Sequence, residues 1–219
     1  MKNVLSFLER LADNNNKVWF DEHKSEYLDA KQTFENFSLD FLHGVEAFDP
    51  RVNNLGIKDI NYRIYRDVRF SDDKRPYKWH MGVYVCPKGK KSGMAGYYIH
   101  LEPSTSTYFI CAGLYNPTKE VLASVRDEIS CNGRNFHEAV TRCDGFTLPW
   151  QSALKKMPRG FSESDEYSEY YRLRSYEIYK SVTRDQVLSD GFLSASLDEL
   201  RKTHEYNEIL NKCYDYVYE

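Results

Sequence analysis

Val4, Leu5, Leu8 and Leu11 recur at helical spacing, and the polar run Asp13-Asn14-Asn15-Asn16 ends that pattern before a second begins at Lys17. In the second run Phe20, Tyr27, Phe34, Phe37, Phe41 and Val45 return at three-, four- and seven-residue steps, while Lys24, Glu26, Asp29 and Lys31 fall mainly between them. The spacing predicts a short helix feeding a long one whose aromatic stripe faces inward. Pro50, Asn53, Asn54 and Gly56 then mark a loop, after which the period changes to two. Ile60, Tyr62 and Ile64 alternate, then Met81, Val83 and Val85, then Tyr97, Ile99 and Leu101, then Tyr108, Ile110 and Ala112, which predicts four strands.

Cys86-Pro-Lys-Gly-Lys-Lys-Ser-Gly93 and Glu102-Pro-Ser-Thr-Ser-Thr107 are turn chemistry, so the last three of these strands read as an antiparallel meander. Asn116 before Pro117 predicts a helix start, with Val121, Leu122, Val125 and Ile129 as its apolar face. A further short helix is expected over 136–140, loop over 146–160, and an acidic, serine-rich surface run over 162–171. Tyr176 and Ile178 alternate as in a strand, with a helical reading left open, and 197–218 reads as helix. Neither an internal repeat nor a Gly-, Ser- or Pro-rich linker divides the chain. The expected fold is α+β, a single domain over 1–219 with a mainly antiparallel sheet of at least four strands covered by helices from both termini.

Composition sharpens this. At 219 residues with 41% apolar content the chain suits one sizeable core, and 18 Tyr among its aromatics mean that ring surface lines much of any pocket. The first residues have too short an apolar run before Glu9 and Arg10 for a secretory signal, and no long apolar stretch suits a membrane, so a cytoplasmic protein with no membrane partner is expected. Five cysteines are an odd number without metal or redox spacing, which points to free thiols.

Charge is the more specific signal. Between Arg63 and Lys91 lie nine cations and three carboxylates, a surplus of +6 in a chain whose formal total is -3. Such a face calls for an anionic partner, a small molecule in the first instance and nucleic acid in the second, although a sequence pI near 6.1 leans away from general nucleic-acid binding. Strand alternation would send Arg63 and Arg66 to opposite faces, so the strand must end or bulge near Tyr65. The candidate ligand-binding set is Arg63, Arg66, Asp67, Arg69, Lys74, Tyr77 and Lys78: planar guanidinium forks, point charges, and Asp67 as an orienting partner. Two other readings stand beside it, a structural ion-pair network that binds nothing and a basic face that docks on protein or nucleic acid.

The spacing RxxRDxRFxxxKxPY, filled by Arg63, Arg66, Asp67, Arg69, Phe70, Lys74, Pro76 and Tyr77, resembles the signature of a bacterial family catalogued as domain of unknown function 2461. The resemblance extends to Asn15-Asn16-Lys17 with Trp19-Phe20, to Tyr98-Ile-His100-Leu-Glu102-Pro103, to Gly113-Leu-Tyr115 and to Pro158-Arg159-Gly160-Phe161. It implies one domain running nearly end to end and brings no activity, substrate or cofactor with it.

Tyr98, His100 and Glu102 alternate on one face of a predicted strand and are the candidate catalytic groups, a hydroxyl, a base and an acid. The alternative is a satisfied polar face beside the charged loop. Two ligands with no obvious third make a poor metal site, so none is assigned, and no cofactor is named. His80, at the far end of the charged loop, is a candidate to join them across the sheet.

Overall fold

Pairing begins at Met81. In the computed structural model, which describes residues 1–219, four antiparallel strands follow in the order β1 (Met81–Val85), β2 (Gly96–Glu102), β3 (Thr107–Leu114) and β4 (Tyr176–Ser181). Register is set by which face is apolar. Val83 and Val85, Tyr97, Ile99 and Leu101, Tyr108, Ile110 and Ala112, and Tyr176 and Ile178 are buried on one side. A slip by one residue would put every one of them on the other face.

Helices cover that face alone. The amino-terminal α1 (Lys2–Asp13), α2 (Lys17–Glu22) and α3 (Lys24–Glu46) bring Leu5, Leu8, Phe20, Phe34, Phe41 and Val45. After the short α4 (Ile57–Ile60) come α5 (Lys119–Arg142), α6 (Arg184–Leu188), α7 (Phe192–Arg201) and α8 (His204–Tyr218). One continuous cluster of 44 buried residues draws on both ends of the chain, which is the expected α+β domain. Asn211 of α8 fastens the approach to β2: its amide accepts from the Ala95 N–H at 2.8 Å and donates to the Ala95 carbonyl at 3.1 Å. No helix is long and apolar enough to cross a membrane. All five cysteines are free.

Several boundaries differ from the sequence reading. The long helical run breaks at His23, and the break lets Phe20 stack on Tyr77 at 3.9 Å while Tyr27 packs on Phe7 at 5.7 Å. Ile60 and Ile64 are buried while Tyr62 is exposed, and the three form no strand. Ile60 closes α4, where Asp59 caps the Gly56 N–H at 2.8 Å, and only an isolated bridge from Asn61 to Val83 joins this stretch to the sheet. The fourth strand is instead β4. Thr118 caps α5, since its side chain accepts from the Val121 N–H while Asn116 takes a positive φ of 49°. The separate helix expected over 136–140 is the end of α5, beyond a kink at Asn132. The carboxy-terminal helix is two, α7 and α8.

Candidate functional site

The sheet's other face carries Gly82 and Tyr84 of β1, Tyr98, His100 and Glu102 of β2, Phe109 and Cys111 of β3, and Glu177 and Tyr179 of β4. No helix packs there. The segment 61–80 rises beside it as a wall. Its two limbs pair through Tyr65 and Tyr77, with the Arg66 N–H donating to the Pro76 carbonyl at 2.9 Å and the Lys78 N–H to the Ile64 carbonyl at 2.8 Å. Sheet face and wall enclose a groove of about 870 Å³ that includes Tyr62, Lys78 and His80 from the wall and Lys90 from the turn after β1.

The charged stretch falls on both sides of this wall. Its tip, residues 67–75, is closed on itself. Asp67 accepts from Arg69 at 2.6 Å, Asp73 pairs with Arg75 at 2.8 Å and with Arg66 at 2.9 Å, and Lys74 donates to the Val68 carbonyl at 3.1 Å. Hydrogen bonds from the Arg69 side chain hold Asp67 below the usual carboxylate range, and those from Arg75 hold Asp73 lower still. Tyr77 is buried, with its backbone gripped by the Asn15 amide at 3.0 and 3.1 Å. Arg63 lines a second cleft of about 310 Å³ that shares Tyr62, Lys78 and His80 with the groove. Of the seven residues singled out for ligand binding, Lys78 alone lines the groove, and Arg66, Arg69 and Lys74 do not converge on it.

Lys78 and Lys90 approach the Tyr62 ring at 5.2 and 5.8 Å, and neither enters an ion pair. Burial pulls both ammonium groups below their ordinary value; the neighbouring Arg63 adds to this at Lys78, and Asp59 opposes it at Lys90. Taking a cation out of water without a carboxylate is costly, and a bound anion would offset the cost.

Tyr98, His100 and Glu102 are brought together as their alternation requires. The Tyr98 hydroxyl lies 2.9 Å from His100 Nδ1, and His100 Nε2 lies 3.2 Å from Glu102 Oε2. Phe109, directly across the β2–β3 pair, stacks on the imidazole at 4.7 Å. Gly82, across the β1–β2 pair, leaves room for the phenol, because a Cβ there would fall 2.7 Å from the Tyr98 ring and closer still to its hydroxyl. Glu102 Oε1 accepts from Thr105 at 2.9 Å and from the Trp79 indole at 3.2 Å.

His80 does join them. Its ring lies 4.9 Å from that of His100, and its Nδ1 lies 3.9 Å from Glu102 Oε2. Burial pushes the His80 imidazole down to about 4, with His100 beside it pushing the same way. Burial also lowers His100, against the pull of Glu102. At Glu102 burial pushes up, but the hydrogen bonds from Thr105, His100 and Trp79 outweigh it and leave the carboxyl below its ordinary value. At neutral pH the cluster is two neutral imidazoles and one carboxylate.

Sequence reasoning missed Tyr84, Lys90, Glu177 and Tyr179 as groove residues, and missed the space provided by Gly82. The available signal was period two: once Tyr98 and His100 are assigned outward, the outward partners on the neighbouring strands follow. Glu177 is the acid farther along the groove, raised above its ordinary value by burial, with Oε2 lacking a hydrogen-bond partner.

Helices on one side of an antiparallel sheet and an aromatic groove on the other place this chain among two-layer α+β proteins with a ligand-sized cleft on the free sheet face. Over residues 3–208 it matches the family described as conserved hypothetical protein (DUF2461), and it belongs to that family, as the resemblance in its sequence led one to expect. Neither the curated proteins nor the solved structures contain a match to it.

Proposed function

We propose that the groove binds an anionic small molecule with a flat apolar part, and that its His100 end is where chemistry on that molecule takes place. The observation that carries this reading is the pair of half-buried lysines, Lys78 and Lys90, both beside the Tyr62 ring and neither in an ion pair. Asp59 lies near Lys90, whose ammonium donates to the Lys58 carbonyl. Tyrosine faces along the groove supply stacking surface, and the two ammonium groups supply charge-assisted hydrogen bonds to phosphate or carboxylate oxygens. The guanidinium groups of the hairpin tip act as its internal brace, a role supported by their pairing with Asp67 and Asp73.

The test is thermal stability of the full chain across inorganic phosphate, pyrophosphate, nucleoside phosphates and aromatic carboxylates, because a ligand that binds only the folded state raises its apparent stability. At least one of these anions is expected to stabilise the wild type. Lys78→Gln is expected to weaken that anion by about 1.5–3 kcal/mol, the worth of a hydrogen bond to a charged group. No stabilisation by any of them would overturn the reading, and tight oligonucleotide binding with a steep salt dependence would favour the nucleic-acid alternative.

One observation favours a second reading for the hairpin. Phe70 is 97% exposed on a tip whose three cations and three carboxylates cancel, an apolar ring suited to docking on a protein surface. Binding to such a surface that Phe70→Ala abolishes and phosphate leaves untouched would support it.

A further inference from the structure

Register alone places His80 against the His100–Glu102 pair. Met81 pairs with Leu101 and Gly82 with His100, so His80, one residue before β1, stands opposite Glu102 and diagonal to His100. One donor atom from each of the three side chains lies within 4.8 Å of the other two.

We propose that His80, His100 and Glu102 form a binding site for a divalent transition-metal ion, with its open coordination positions facing the groove. Two imidazoles and one carboxylate from three positions leave part of the metal's coordination sphere free, and this donor set suits zinc, iron, manganese or cobalt better than calcium or magnesium. Bonds of about 2.0–2.2 Å to nitrogen and oxygen require donors roughly 3–3.5 Å apart. His100 Nε2 and Glu102 Oε2, at 3.2 Å, already meet that spacing. His80 Nδ1, at 3.9 Å from the same oxygen, belongs to a side chain that is one-third exposed, and a turn of it would close the remaining gap.

The outward-facing atoms are anchored as metal ligands require. His100 turns its other nitrogen to the Tyr98 hydroxyl at 2.9 Å, and Glu102 gives its other oxygen to Thr105 and Trp79 at 2.9 and 3.2 Å. Such outer hydrogen bonds fix the tautomer and ring orientation of a ligating histidine and leave the inner atoms directed at the ion. With metal bound, His100 Nδ1–H donates to the Tyr98 oxygen. Without it, the same distances describe a chain in which Tyr98 donates to His100 and His100 to Glu102. His80 and His100 both line the groove, so a bound ion would meet an oxygen of any anion lying there. The site itself is built from this chain's own donors and stands whether or not the anion reading holds.

The test uses the full chain, stripped with a chelator and titrated with zinc, manganese, ferrous iron under anaerobic conditions, and cobalt, with magnesium as comparison. A Cys131→Ser background removes the exposed thiol. One ion per chain is expected, with cobalt giving visible ligand-field absorption and magnesium binding at least tenfold more weakly. His80→Ala leaves the Tyr98–His100–Glu102 chain intact and serves as the main variant, and Glu102→Gln is the second. Both are expected to lose at least tenfold in affinity, and His80→Ala to keep the metal-free melting temperature. Absence of stoichiometric binding by the wild type would overturn the proposal, as would unchanged affinity in both variants. Phosphate and nucleotide titrations of the metal-free protein report on the anion reading separately.

Discussion

Arg75 lies over the indole of Trp79, its guanidinium carbon 3.8 Å from the ring centroid, and the same indole donates its N–H to Glu102 at 3.2 Å. The charged hairpin therefore reaches the polar end of the groove through one aromatic ring. Trp79→Phe keeps a ring beneath Arg75 and removes the donor. Hydrogen bonding to a carboxylate favours its charged form, so the Glu102 carboxyl is expected to titrate higher in the variant. A depressed carboxyl contributes stability that is present above its unfolded value and lost as pH falls through the folded one. The variant should thus be less stable at neutral pH by on the order of 1 kcal/mol, with the difference shrinking in acid. Side-chain NMR titration of Glu102 and melting curves against pH check both parts.

Arg69 makes a different case. Its side chain is 76% exposed and paired with Asp67 two residues away, an exposed ion pair. Exposed pairs of this kind contribute little. Arg69→Lys is expected to leave both the melting temperature and anion-dependent stabilisation unchanged within measurement error. A loss of anion binding in this variant alone would return the ligand to the hairpin tip.

What could be read from the sequence follows from which signals are local. Alternation places Tyr98, His100 and Glu102 on one face because the side-chain period of a strand is fixed, and the apolar partners Tyr97, Ile99 and Leu101 fix which face is buried. The charge surplus of 63–91 is equally plain, but its sum does not say which cations pair with their own neighbours. Asp67 and Asp73 sit two residues from Arg69 and Arg75 and accept from both their backbone and side-chain donors, a turn-level closure that counting charges overlooks. Glu177 reaches the groove from a distant segment through strand pairing, so nothing near it in the chain marks it as lining; Lys90 falls inside the basic stretch, but its charge alone does not place it there. The misread strand at Ile60 and Ile64 has the same origin: the apolar spacing reports burial, and a four-residue turn with one bridge buries both side chains as well as a ladder would.

Gly82 makes room for the Tyr98 phenol, which lies diagonal to it across the β1–β2 pair. An alanine Cβ would stand 2.7 Å from the Tyr98 ring carbons, well inside contact distance, so either the edge strand β1 or the phenol, flanked by Tyr84 and Phe109, must shift. Gly82→Ala is expected to destabilise by about 1–3 kcal/mol and to separate Tyr98 from His100. Tyr98→Ala in the same chain removes the clash, so the double variant should be more stable than the sum of the single effects predicts. Urea melts of the four proteins measure the coupling, and strict additivity would show that the two residues do not press on each other.

Glu177 offers a pH test away from the histidines. Burial raises its carboxyl above the ordinary value of 4.5, and its Oε2 has no hydrogen-bond partner. A carboxyl raised in the folded state binds more protons folded than unfolded between the two values. Stability therefore falls as pH rises through that window, and above it the charged group is a standing cost. Glu177→Gln keeps the shape and removes the charge. The variant should be more stable than the wild type at pH 7, and the gap should close as pH drops below 4.5, where the wild-type carboxyl is neutral in both states. Removing an acid from the groove should also tighten any anion held by Lys78 and Lys90, with a larger effect at low salt because the charges act across solvent. Parallel melting curves from pH 4 to 8 decide the first part. A variant less stable than wild type at every pH would mean that the carboxylate has a partner of its own and that burial costs it nothing.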